Sequence, residues 1–228
     1  MKSYAIPRHK VFISYYHKDD QAYKNYLIEL QEFNADTQMW QSIFDDYSVR
    51  ENDIDDTGLT DETIRKIIRD DYINEASVLI LLCGNRTKER KFIDWELHAA
   101  MYDTEEKPKL GIVVINLPSI RGKSFIHVGQ DDEKSIVGGQ GTRWSTIDSR
   151  AGYEQAFPFL PSRLIDNLES GIDDNTIVPF TVVEWEKIYK DTFSLKTLID
   201  NAFNRSRDKR KHYNHSSPLR ERNSNRGI

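Results

Sequence analysis

The chain has 228 residues, 38% hydrophobic and 30% charged, enough to bury one full core with embellishments. It holds no apolar run long enough to span a bilayer, Met1 to Arg8 lacks the apolar core of a signal peptide, and the lone Cys83 excludes a disulfide framework, so the expected location is cytoplasmic. The net charge of −5 is uneven, because Arg205 to Ile228 carries eight basic residues against two acidic ones and is +6, which leaves −11 on the body.

An acidic body is a poor nucleic-acid surface, and no membrane partner is expected. The expected layout is a short extension over residues 1–9, one domain over 10–204 and a basic, disordered tail over 205–228. The tail is Ser-, Asn- and Arg-rich and lacks apolar periodicity.

Lys10 to Tyr15 (KVFISY) is β-branched and aromatic and reads as the first strand. The polar turn Tyr16-His17-Lys18-Asp19-Asp20 offers an aspartate to cap the next helix, whose stripe is Tyr23, Tyr26, Leu27 and Leu30. Met39 to Phe44 reads as a second strand. Asp45 to Gly58 is then long, acidic and without period; such a loop is either functional or simply solvated. Arg50, its one cation, would meet phosphates or neutralise the aspartates around it.

Thr60 suits a helix N-cap, with Asp61 and Glu62 in the first turn and Ile64, Ile67, Ile68 and Tyr72 on the buried face. Val78 to Cys83 is apolar throughout, as expected of a strand covered on both faces. Gly84 and Asn85 end it, and from Lys91 the period becomes helical, with Ile93, Leu97, Ala100 and Met101 forming one stripe. Glu96 lies beside that stripe, half desolvated, on a helix that starts at the carboxyl end of a parallel strand. Ligands bind at that edge of open α/β sheets. A boundary residue or a salt-bridge partner would look the same in sequence. Asp94 and His98, four apart, read as a surface pair.

Leu110 to Leu117 is a further internal strand, and the alternation of strand and helix argues a parallel sheet with right-handed crossovers. Pro118 to Gln155 is irregular; its Gly138-Gly139-Gln140-Gly141 cluster has no strand before it and is no dinucleotide fingerprint. Phe157 to Gly171 opens with two prolines and brings Arg163, Asp166 and Asn167 together. Trp185 anchors the approach to a last helix that Ser194 can cap, with Leu195, Leu198, Ile199, Ala202 and Phe203 on one side.

Three of these blocks, in this order, resemble the TIR-like family of bacterial and archaeal proteins, the group that includes the signal-producing TIR subunit of the Thoeris antiphage system. They are the opening Phe12-Ile13-Ser14-Tyr15 strand with its acidic turn, the Asn85 to Glu96 block, and the Pro161 to Asn167 block. The resemblance implies a flavodoxin-like TIR fold, an α/β sheet of about five parallel strands with helices on both faces, plus a C-terminal helical extension. It also implies NAD+ as substrate in the enzymatic members, with no cofactor beyond it, a catalytic glutamate at Glu96, and self-assembly through the loop at 45–58. A downstream effector would be reached through a nucleotide signal. Other TIR domains are only adaptors, so a non-catalytic interaction module remains the alternative reading.

Cleaving the nicotinamide–ribose bond leaves positive charge on the sugar while the leaving group departs neutral. The step needs a fixed anion near the developing oxocarbenium rather than an acid or a metal, and no metal site is expected. One preorganised group of this kind is worth ~3 kcal/mol, on the order of a hundredfold in rate. Substrate contacts are expected from Ser14, Tyr16, His17 and Asp19 at the first strand's end, Asn85, Arg86 and Thr87 at the third's, Arg50 from the acidic loop, and Trp95 beside Glu96. Core packing is the rival role for Trp95.

Overall fold

In a computed structural model the described residues are 8–35, 38–48, 58–139 and 141–223. β1 (Lys10–Ser14) leads into α1 (His17–Ile28), after which β2 (Gln31–Asn34) and β3 (Met39–Ser42) form a separate antiparallel ribbon. β4 (Asp45–Asp46) returns parallel to β1. α2 (Asp61–Ile67) precedes β5 (Val78–Cys83), and α3 (Lys91–Met101) precedes β6 (Gly111–Asn116). A long connection carries α4 (Lys134–Val137), α5 (Arg150–Ala156) and α6 (Ser162–Asp173) to β7 (Thr181–Glu184), and α7 (Trp185–Ile188) and α8 (Thr192–Ser206) follow.

The main sheet has five strands in the order β4-β1-β5-β6-β7, all parallel. Counted along the chain within the sheet, that is second, first, third, fourth, fifth. It is the flavodoxin-like order, whose direction reverses between β1 and β5.

Strand alternation divides the core in two. Phe12, Leu79, Leu81, Ile112, Val114 and Val182 face α2, α3 and α6, meeting Ile64, Leu97 and Leu164. Val11, Ile13, Ile80, Leu82, Val113 and Val183 face α1 and α8, meeting Leu27, Leu198 and Ala202. β5 and β6 are buried along their whole length, which is why they are continuous apolar runs in the sequence. At Gly111 the backbone of α8 comes so close that an added Cβ would lie 2.3 Å from the carbonyl of Ala202. Only glycine lets α8 settle onto β6 there.

Four expectations need correction. Met39 to Phe44 does supply a strand, β3, but it pairs with β2 outside the main sheet. The second parallel strand is instead the two-residue β4, held in place by the buried Ile43 and Phe44 just before it. Residues 205–223 are not a loose tail. Tyr213 is 1% exposed and donates its hydroxyl to the Leu110 carbonyl at 3.0 Å, and the chain runs on as a strap across α3 and α6. Finally, neither Asp19 nor Asp20 caps α1; Tyr16 stands at that position without a side-chain cap. The Thr60 cap does form, accepting from the Thr63 N–H. Asp191, not Ser194, caps α8.

Candidate active site

β1 ends at Ser14, and the buried stripe of α3 turns Glu96 toward that strand end. The Ser14 hydroxyl donates to Glu96 Oε2 at 2.5 Å, joining residues 82 apart in the chain. Glu96 is 9% exposed and makes no ion pair among the described residues. Burial pushes its pKa up to about 8, against the downward pull of the Ser14 hydrogen bond. The result is an acid group held mostly dry at the point where the sheet reverses direction, with one hydroxyl to orient it.

α3 itself is clamped from behind. Arg163, 1% exposed on α6, donates Nε and Nη2 to the two oxygens of Asp94 at 3.1 Å each, and its remaining donors reach the carbonyls of Ser217 and Pro218 in the strap. Asp94 also accepts from the Arg220 N–H at 2.9 Å. The partner of Asp94 is therefore Arg163 and not His98, whose pKa burial lowers to about 4. Trp95 Nε1 donates to the Arg220 carbonyl at 2.9 Å. Trp95 is 2% exposed, stacked edge-on with Phe92, so of its two readings packing is the one observed. It faces the strap.

The other expected contacts divide. Tyr16, two residues past the end of β1, lies beneath two guanidinium groups, with Arg86 5.1 Å and Arg90 4.4 Å from its ring centre. His17 stacks on Tyr15 with ring centres 4.3 Å apart, while Asp19 and Asn85 are exposed. Thr87 is fully buried; its hydroxyl accepts from the Gly84 N–H and donates to the Leu82 carbonyl, closing the turn after β5. It is a turn residue and presents nothing to a ligand. Arg50 lies outside the described residues, as does most of the 45–58 loop.

Sequence reasoning missed Asp20. It is 5% exposed and packs on Gly84, where an added Cβ would lie 3.1 Å from both carboxylate oxygens. Burial, and then the negative charge of Asp19, raise its pKa to about 6, opposed by the Tyr16 N–H. Asp20 and Glu96 thus reach the strand ends of β1 and β5 from helices on opposite faces of the sheet. The signal was present: Asp20, Lys24 and Leu27, at i, i+4 and i+7, are the buried residues of α1. Arg90, also missed, adds a cation over Tyr16, and its Nη2 is buried without a hydrogen bond among the described residues, 3.5 Å from Glu89.

No helix among the described residues is long and apolar enough to cross a membrane. Comparison with curated proteins finds no match. Residues 12–121 match the family model described as Thoeris protein ThsB, TIR-like domain, a span that includes Ser14, Asp20, Arg90 and Glu96. The sheet order and this match agree: residues 12–121, just under half of the chain, are similar to the TIR-like domain of the Thoeris ThsB family.

Proposed function

We propose that the protein is a TIR-like enzyme of antiphage defence that cleaves NAD+ at the nicotinamide–ribose bond and releases an ADP-ribose-type signal for a separate effector. The observation that carries this reading is Glu96: a carboxyl group 9% exposed, without a cation partner among the described residues, and bonded to Ser14 at the end of β1, where the sheet order reverses. As the bond between ribose C1′ and the ring nitrogen breaks, its electron pair neutralises the pyridinium, and nicotinamide leaves uncharged. The ionised Glu96 then offsets the positive charge on C1′ and the ring oxygen until water, or a nucleophile within the ADP-ribose, closes on C1′ and gives up a proton. Arg86 and Arg90, over Tyr16, would supply the cations that the diphosphate of such a substrate needs.

The test is chromatography of NAD+ after incubation with concentrated protein, alone and with lysate of phage-infected cells. Nicotinamide and an ADP-ribose product are expected in at least one condition. NAD+ left intact in both would overturn the reading.

The alternative, a non-catalytic interaction module, draws on the β2–β3 ribbon. There Phe33, Met39 and Trp40 are 50%, 65% and 65% exposed, with Phe33 and Trp40 edge-on to each other. Partner capture lost with Trp40→Ser while NAD+ stays intact would favour it.

A further inference from the structure

Two and three strand spacings from β1, about 10 and 14 Å away, the carboxyl ends of β6 and β7 carry Asn116 and Glu184 side by side in register. Asn116 is fully buried, and its Nδ2 donates to the Phe125 carbonyl at 2.9 Å. That leaves Asn116 Oδ1 and Glu184 Oε2 as buried oxygens with no hydrogen-bond partner among the described residues. An unmet buried acceptor costs about 1–3 kcal/mol. Two at adjacent strand ends, both wanting N–H or O–H donors, mark a place that a donor-rich molecule would relieve.

Glu184 lines a cavity of about 590 Å3, within the roughly 300–1,000 Å3 span of small-molecule sites. Phe125 and Trp144 stand on its walls, partly exposed, and give flat apolar surfaces to a ring. His127 is on the lining too; burial lowers its pKa to about 4, so it brings no positive charge against an N–H donor. Lys134 and Arg143 are on the same lining, and Lys134 is paired with Asp131 at 2.9 Å. The cavity-lining residues all lie beyond residue 121, outside the segment that matches the family.

We propose that this cavity is a second ligand site, for a nucleotide with an amino-substituted base: the base donates an N–H group to Glu184, behind which Asn116 lies buried, its ring lies against Phe125 and Trp144, and its phosphate meets Arg143. The site does not depend on the reaction assigned to Glu96. Burial raises the Glu184 pKa against the opposing Asn116 hydrogen bond, and an N–H donor in the cavity would favour its ionised form.

The experiment is isothermal titration of the full chain with adenosine, cytidine, inosine and uridine 5′-monophosphates. The two amino-bearing nucleotides are expected to bind more tightly than inosine and uridine, which offer a carbonyl where the amine stood. Glu184→Leu should weaken them about tenfold or more, the worth of a hydrogen bond to a charged group. Trp144→Ala, a change at a partly exposed site, should weaken them as well, and Glu96→Gln should leave them unchanged. Absence of binding, equal affinity for the four nucleotides, or a loss confined to Glu96→Gln would each overturn the proposal. The last result would move the ligand to the β1 edge.

Discussion

Two buried glutamates in this molecule have opposite surroundings. Glu133, fully buried, receives Arg205 Nη1 at 2.6 Å and the Thr181 hydroxyl, so its charge is matched and its oxygens are occupied. Glu96 has one serine hydroxyl and, among the described residues, no cation. The first arrangement ties α8 to the loop before α4 and gains nothing from being reactive. The second leaves an acid whose ionisation is penalised, which makes sense where a positive charge arrives from outside.

Breaking the satisfied pair should cost most. Arg205→Ala strands Glu133 in the core and is expected to lower stability by about 3–5 kcal/mol, read from the denaturant midpoint. The double change Glu133→Leu with Arg205→Met should recover most of that loss. A small effect of the single change would mean that Glu133 is not the structural member of the comparison.

Arg163→Ala should cost about 2 kcal/mol or more, because it leaves Asp94 without its cation and two strap carbonyls unmet. Faster amide exchange across residues 208–223 and along α3 is the distinguishing readout. Exchange unchanged in the strap would show that it is held independently of Arg163.

Glu96→Gln should leave stability near neutral at acidic pH and become relatively more favourable as pH rises. The sign follows from the raised pKa. Between the ordinary carboxylate value near 4.5 and about 8, the unfolded chain has released a proton that the folded chain still holds. Stability of the natural protein therefore falls with pH across that window, by at most about 1.4 kcal/mol per pH unit for this group, and the glutamine variant lacks the slope. For the same reason NAD+ cleavage should increase as pH rises toward 8, where more Glu96 is ionised.

Ser14→Ala should have the smallest effect on folding, under about 1 kcal/mol. Removing the hydroxyl that favours the anion should move the rising limb of the pH–activity profile to higher pH. An unshifted profile would detach Ser14 from Glu96 function.

What the sequence showed follows from what each element buries. β1, β5, β6 and the α3 stripe are dense with apolar side chains on the periods that strands and helices impose, and Glu96 stood out beside them. The edge strands β4 and β7 were illegible because two and four residues are too few to display a period. The strap was hidden for another reason. Beyond Tyr213, it meets Arg163 and Trp95 through the main-chain carbonyls of Ser217, Pro218 and Arg220, groups every residue carries. Trp95 fell on the packing side because that strap took its indole N–H. Asp20 escaped notice because a polar residue on a buried helix face resembles a capping aspartate when it follows a turn.

The most direct measurement compares nicotinamide release from NAD+ in phage-infected cells carrying the natural protein and its Glu96→Gln variant at matched expression. The account predicts release with the natural protein and a loss on the order of a hundredfold or more in the variant. Equal release from the two would contradict it.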